Sequence, residues 1–478
     1  MALTRILLWL GNTFVICAVL LTLTAMAGLL LGEVSYAVIF AALTLPVGIT
    51  GSLIIIATHN TPARETNSDA LAFLLLFWTV LPVLAAIPYY ATGSVSHVST
   101  AYFEAVSALT TTGASSLNAD DLPRILHIWR SVLQFFGGVS AATFAVVILA
   151  ALNLSGTGIH RSMLFTLKKG ELFERLIGIG RIIVSIYLGL AALCFSLLLL
   201  SGTPLFESLC LSLTSVSTGG LTPRSGPLAS YVSPFGVTIL SCFCLSGAVS
   251  IAVLWDFIRL RGAGGRELLW RNAEHRALIA MIGLIIILGL AYISPRHAGT
   301  LIPEAFFFVS STGFDYNVIG IEMLPPTLLI ALALVGGAAL STTGGLKMIR
   351  LLLLFRHLTV DLSRLSHPSR VLPVTFRGQV LSDRDFLSIW MYFFGFTLVF
   401  GAGIVALGAA GLPYDIAVAS AAASLANMGP LLDATLPISS YSDFTLPQQF
   451  ISSVIMLFGR VEVLAGFAAI TGVTWQRA

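Results

Sequence analysis

The sequence predicts an all-α polytopic membrane protein of ten spans, eight of them in four pseudo-repeated span–pore helix–span units around one central pore. Three observations carry this. Of 478 residues, 57% are hydrophobic and only 10% charged, against about 25% charged in an ordinary soluble domain. Mean hydropathy is +0.95. After the first two apolar segments, the rest alternate long, short, long, four times over.

A span needs about 20 largely apolar residues. Ten segments qualify: Ile6–Leu31, Tyr36–Ala57, Ala70–Ala91, Ser131–Leu152, Ile182–Ser201, Pro234–Ile258, Ala277–Ile293, Pro326–Phe355, Phe386–Gly411 and Phe450–Val473. The first exceeds the roughly 7–15-residue core of a signal peptide and shows no cleavage pattern, so it reads as a span. Four further segments, Ser99–Thr111, Pro204–Ser215, Pro303–Ser310 and Tyr414–Leu425, are too short to cross but long enough for a re-entrant helix. They lead into Thr110-Thr111-Thr112-Gly113, Ser217-Thr218-Gly219, Ser311-Thr312-Gly313 and Asn427-Met428-Gly429. The glycines are 106, 94 and 116 residues apart (219−113, 313−219, 429−313), a near-constant period that points to internal duplication. Residues 1–69 are then two leading helices, and 70–160, 161–262, 263–360 and 361–478 are the four units.

Basic residues set the orientation. With both termini inside, 20 of the 25 lysines and arginines fall on the inner side, and only Arg124, Arg130, Arg224 and Arg296 outside, with Arg460 inside a span. This places all four short segments on the outer side. Each would then aim its partly negative C-terminal end at the membrane interior, which favours a cation there. The following loops supply carbonyls and hydroxyls, and irregular backbone at that depth is tolerated where it lines a water-filled path. Glycine allows left-handed or extended backbone without a clashing side chain.

Thr-Thr-Thr-Gly-Ala at 110–114, Ser-Thr-Gly-Gly-Leu at 217–221, Ser-Ser-Thr-Gly-Phe-Asp-Tyr at 310–316 and Asn-Met-Gly-Pro at 427–430 resemble the filter loops of the Trk/Ktr/HKT potassium transporter superfamily. The likeness runs from about Ala70 to the end, and the two leading spans place it nearest the TrkH/TrkG branch. What the resemblance implies is potassium uptake through one filter, with K+ held by Thr111, Thr112, Gly113, Ser217, Thr218, Gly219, Ser311, Thr312, Gly313, Asn427, Met428 and Gly429. In that superfamily a serine at the first loop's glycine goes with sodium permeation; here that position is Gly113. A homodimer in the bacterial inner membrane is also implied. So is a TrkA-like cytosolic nucleotide-binding ring docked on the basic inner loops Gly158–Arg175, Arg259–Arg276 and Arg356–Arg384. K+ is the transported ion. No organic cofactor and no nucleic-acid partner are expected, and coupling of potassium to proton or sodium symport remains the alternative.

Pro326–Phe355 contains Gly336-Gly337-Ala338-Ala339-Leu340-Ser341-Thr342-Thr343-Gly344-Gly345. Each glycine weakens a helix by roughly 1 kcal/mol relative to alanine. The segment reads as a broken helix lining a cavity, or else as close helix packing through small residues. The resemblance makes Gly336, Gly337, Ser341, Thr342, Thr343, Gly344 and Gly345 a gate, with Lys347 as its inner anchor. Arg460 lies deep in the last span with Glu462 two positions on. About 200° apart on a helix, the two cannot readily pair, so each needs another partner. The family has a pore-facing arginine there, while a structural ion pair is the other reading.

Asp120, Asp121, Asp315, Glu322, Asp433 and Asp443 lie outside and would concentrate cations at the mouth. Glu104, Glu207, Glu304 and Asp415, on or beside the short helices, read as hydrogen-bonding groups. No Walker loop is present, since Gly344-Gly345-Leu346-Lys347 lacks the required order. A small-solute transporter predicts inverted repeats, and an intramembrane enzyme needs paired catalytic groups at depth. The sequence shows four repeats entering from the same side instead, and only Arg460 and Glu462 lie at depth.

Overall fold

The computed structural model describes residues 3–59, 67–151, 172–260, 272–317, 319–367, 374–376, 379–381, 383–436 and 440–461. The leading helices α1 (Leu3–Leu30) and α2 (Val34–Thr58) form a hairpin. They meet through bare α-carbons: a Cβ on Gly51 would stand 2.9 Å from the Gly11 carbonyl oxygen, and one on Gly11 3.0 Å from that of Gly51. Small residues of this kind let two membrane helices approach closely.

Next come α3 (Asn67–Ala91), the short α4 (Val98–Leu109) and α5 (Arg124–Ala151). The α1–α2 turn docks on this unit. Glu33 accepts hydrogen bonds from the Arg124 and Ile125 amides at 3.0 and 2.9 Å, satisfying two donors that a helix start leaves without intrahelical partners. Trp129 of α5 sits fully buried against Phe40, with its ring nitrogen donating to the Ala85 carbonyl at 3.1 Å. A second group follows: α6 (Leu172–Leu200), the short α7 (Leu205–Ser217), α8 (Pro234–Ala248) and α9 (Ile251–Leu260). The third is α10 (Ala273–Gly289), the short α11 (Leu301–Val309), α12 (Pro326–Val335) and α13 (Met348–Ser366).

A small antiparallel hairpin, β1 (Thr375–Phe376) and β2 (Gln379–Val380), leads into the last group. That group is α14 (Asp383–Ala409), the short α15 (Tyr414–Leu425), α16 (Leu431–Thr435) and α17 (Leu446–Arg460). The four short helices are the buried centre. Phe103, Ala105, Val106 and Ala108 of α4, and Ala421, Ala422 and Ala423 of α15, are wholly inaccessible. Large apolar side chains such as Leu53, Ile56, Phe394 and Val405 face outward instead.

Five described helices are long and apolar enough to cross a membrane, within α1, α2, α3, α6 and α14, and the α8–α9 pair makes a sixth if counted as one bent span. Two other expected spans lie on α5 and α10, and the last begins in α17 and continues beyond the described residues. One expectation is corrected. Pro234–Ile258 is not a single straight span, because the chain turns by 104° between α8 and α9. Val249 there is extended (φ −75°, ψ 148°).

The backbone groups freed by this turn find partners on one other segment. The Gly247 and Ala248 carbonyls accept from the Thr342 and Ala338 amides, both at 3.2 Å, and the Ile251 amide donates to the Leu340 carbonyl at 2.9 Å. That partner segment is itself a break. As expected from its glycines, the Pro326–Phe355 stretch stops being helical at Val335 and resumes at Met348. The two interruptions satisfy one another, which is how non-helical backbone survives inside a bundle.

Candidate functional site

All four short helices end in the same way. Thr111, Thr218, Ser311 and Asn427 each adopt left-handed backbone, at φ 52°, 56°, 57° and 48°. Only Lys347 shares that feature among the described non-glycine residues. The conformation costs roughly 1–2 kcal/mol for an ordinary side chain, so its recurrence marks a built feature. In three units it closes a Schellman end. Thr112, Gly219 and Met428 amides donate to the carbonyls five residues back, at Ser107, Thr214 and Ala423, each at 2.9 Å. The third unit is one residue looser, with Gly313 donating to Phe307 at 3.0 Å.

This geometry sets a register that differs from the glycine landmarks. Counting from the left-handed residue, Gly113 corresponds to Gly220, Gly313 and Gly429, and Gly219 corresponds to Thr112. Gly113, Gly220 and Gly313 have φ of 78°, 81° and 64°. They also touch in rotation. A Cβ on Gly113 would stand 3.1 Å from the Gly220 α-carbon, and one on Gly220 2.5 Å from the Thr312 carbonyl oxygen. On Gly313 it would stand 2.9 Å from Pro430 Cβ, and on Gly429 2.6 Å from the Ala114 α-carbon. The Gly429 amide donates to the Thr112 carbonyl at 2.5 Å. The four loops thus close a ring whose contacts are backbone on backbone at Gly113, Gly220 and Gly429 and backbone on the Pro430 ring at Gly313.

Glycines behind the ring let it sit this deep. A Cβ on Gly137 of α5, Gly247 of α8 or Gly459 of α17 would collide with the carbonyl of Leu109, Val216 or Leu425, in the last turn of the neighbouring short helix. Gln134 of α5 fixes the second loop, donating to the Gly219 carbonyl at 2.6 Å and accepting from the Thr214 hydroxyl at 2.9 Å. Asn427 ties the fourth loop to the first through the Thr112 hydroxyl and to α17 through the Met456 carbonyl, both at 3.0 Å.

The broken segment Gly336–Lys347 lies against the left-handed residues. The Thr342 hydroxyl is 2.9 Å from that of Thr218 and donates to the Gly247 carbonyl at 3.1 Å. Arg460 donates to the Thr342 carbonyl and, at 2.8 Å, to the Thr111 hydroxyl. Lys347 donates to the Ser341 carbonyl at 3.3 Å and to that of Thr343. The Glu274 carboxylate, in the first turn of α10, accepts from the Ala339 amide at 2.8 Å. Gly336, Gly344 and Gly345 form the crossing of this segment, where a Cβ on Gly336 would meet the Gly345 α-carbon at 3.0 Å. Gly337 presses on Thr343, whose hydroxyl accepts from the Gly337 amide at 3.1 Å. Glu462 and most of two expected docking loops, Gly158–Arg175 and Arg259–Arg276, lie outside the described residues.

On the other side of the ring is an open cavity of about 350 Å³, lined by Gly113, Gly220, Gly313, Met428 and Pro430 and by Glu304, Asp315, Glu322 and Asp433. Three of the six expected outer acids therefore converge here; Asp120, Asp121 and Asp443 do not. Half-buried Glu322 is pushed up to about 7 by burial and by the Asp315 and Asp433 charges. Crowding by protein pushes Asp433 up to about 6. Glu104 and Glu304 tie down the chain leaving their loops. Glu104 accepts from the Ser116 amide at 2.7 Å, and Glu304 from that of Ile321 at 2.6 Å. Glu207 pairs instead with Arg224. Arg130, expected outside, is buried at 3% exposure beside Glu104.

A family profile described as "TrkH: Cation transport protein" matches residues 35–471. This chain is a member of that family. It is accordingly a transporter and not an enzyme. The potassium uptake protein TrkH of the Trk system from Salmonella typhimurium is 30% identical over 438 residues, 89% of this chain and 90% of that one. The TrkH of Halomonas elongata is 29% identical with both chains covered completely. The crystal structure of the potassium transporter TrkH from Vibrio parahaemolyticus superposes with a TM-score of 0.88 at 27% identity, over 99% of this chain and 100% of that chain.

Several residues that build this TrkH-family site escaped the sequence reading. Gln134 and Glu274 sit alone in unremarkable contexts. Gly137, Gly247 and Gly459 had a usable signal, since each follows its loop glycine by 24 to 30 residues (137−113, 247−220, 459−429).

Proposed function

We propose that this chain carries potassium inward across a bacterial inner membrane, with ten spans, both termini cytoplasmic, and the four loops as its filter. In this reading the ion passes along the ring, coordinated by loop carbonyls and by the threonine and serine hydroxyls of 111–112, 217–218 and 311–312. The register favours Gly113, Gly220, Gly313 and Gly429 as the glycine layer, with Gly219 one layer inward. Carbonyl oxygens replace the ion's water shell, and the C-terminal ends of α4, α7, α11 and α15 favour a positive charge. Gly336–Lys347 and Arg460 obstruct the path on the inner side and must move for ions to pass. A homodimer, and a TrkA-like ring on the basic inner face, would control that movement.

One observation carries the proposal: four left-handed loop residues from four parts of the chain, with their glycines in closed rotation. The test is potassium against sodium flux in reconstituted vesicles, for the parent and for Gly113→Ser. The parent should prefer potassium. The serine Cβ falls against the second loop, which must shift, so the preference should drop by ~10-fold, about 1.4 kcal/mol. Transport of a neutral solute without any alkali cation would sink the pore reading.

A further inference from the structure

We propose that the Ser341 and Thr343 carbonyl oxygens form a second monovalent-cation site, occupied in this closed form by the protein's own ammonium, Lys347. The inference rests on the reading that cations traverse the ring, and it adds a site on the inner side of it.

Three consecutive carbonyls of the broken segment are held by positive groups. Lys347 takes Ser341 and Thr343, and Arg460 takes Thr342 between them. Backbone carbonyls deep in a bundle need a donor or a cation, and these three have turned to side-chain charges rather than to helix amides. Lys347 is held in place for this. It is 8% exposed and has left-handed backbone at φ 71°, directly before α13. That conformation turns its side chain back into the segment it has just left, at a strain few non-glycine residues accept.

Beside it lies a cavity of about 30 Å³ lined by Ser341, Thr343, Lys347 and Arg460, with Trp78, Phe144 and Tyr392 among its walls. An ammonium group is a compact single charge close in size to a potassium or rubidium ion. A guanidinium is planar and larger. Of the two basic groups, only Lys347 can therefore stand in for an alkali cation atom for atom. When the segment opens and Lys347, at the start of α13, draws away from Ser341 and Thr343, their vacated carbonyls become a relay position for the ion leaving the ring.

The test compares crystals of the parent and of Lys347→Met, both grown in rubidium chloride, by anomalous scattering. Both should show rubidium at the ring, and only Lys347→Met should show a further peak between the Ser341 and Thr343 carbonyls. Purified Lys347→Met should also gain more in Tm than the parent on exchanging choline for rubidium. Rubidium at the ring of both proteins, with no inner peak and no extra gain in Tm, would overturn the inference and make Lys347 a plain structural tie. Absence of rubidium from the ring of both would strike the pore reading itself, separately from this site.

Discussion

The ring of loops and the broken segment behind it are both irregular backbone inside a helical bundle, yet they are held in opposite ways. The ring draws on four units. Its contacts are glycine against the neighbouring loop, and each loop is braced by its own short helix. The broken segment belongs to one unit, and beside a few internal bonds, those of Lys347 among them, it hangs from other elements: α8, α9, Glu274 and Arg460. Repeated, self-braced contacts cannot yield singly, because each loop is jammed by the next. A segment hung from side chains and one turn of a neighbour can be released by changing a few bonds. In the proposed function, discrimination therefore belongs to the ring and opening to the segment behind it.

The sharpest way to break this contrast is in the ring. Gly220→Ala adds a Cβ at φ 81° and 2.5 Å from the Thr312 carbonyl oxygen, a backbone atom with no freedom to retreat. Uptake should fall by ~100-fold or more, as strain and overpacking together cost a few kcal/mol. Gly219→Ala meets the far end of the Gln134 side chain, which can retreat only by giving up its bonds to the Gly219 carbonyl and the Thr214 hydroxyl, and should lose ~10-fold, less than Gly220→Ala. Potassium uptake in cells, read with membrane abundance, separates the two. Equal losses would return the register to the glycine landmarks.

In the broken segment, Glu274→Ala removes the acceptor for the Ala339 amide. A buried amide without a partner costs about 1–3 kcal/mol, so the closed arrangement should weaken and basal cation flux rise by ~5- to 100-fold. Glu274→Gln keeps an acceptor and should stay near the parent. If both variants leak alike, the carboxylate's charge matters and the hydrogen bond does not.

The smallest effect concerns the outer cavity. Glu322 and Asp433 titrate above the ordinary carboxylate range, at about 7 and about 6. Folding has raised these values, so their ionisation opposes the fold above them, and acidification relieves that cost. It also removes the negative field that gathers cations. Uptake at low external potassium should fall by ~2-fold as outer pH drops from 7.5 to 5.5, through the weakened field. Glu322→Gln should flatten that profile, measured as initial rates at fixed inner pH.

Much of this was legible beforehand, for physical reasons. Tyr414–Leu425 is helical over the residues expected, because Pro413 before it and Asn427, Gly429 and Pro430 after it punctuate both ends. The spacing of Glu104 and Glu304 before Gly113 and Gly313 was visible too, and both carboxylates tie the chain that leaves the loop. The loop register was not legible. Nothing in Ser-Thr-Gly-Gly tells whether Thr218 or Gly219 turns left-handed, and the answer comes from where α7 runs out of helical partners. The α8–α9 bend was hidden for a related reason. Hydropathy counts apolar residues, and Gly247–Ser250 turns only because the segment around Leu340 supplies the missing hydrogen bonds from 90 residues away (340−250).

The division of labour between ring and broken segment has one direct measurement: potassium and sodium flux, side by side, for Gly113→Ser and Glu274→Ala in the same vesicles. Gly113→Ser should change the ratio of the two ions, and Glu274→Ala should change the rate of both by the same factor. A shifted ratio in Glu274→Ala, or an unshifted one in Gly113→Ser, would contradict the assignment of selectivity to the ring and of closure to the segment behind it.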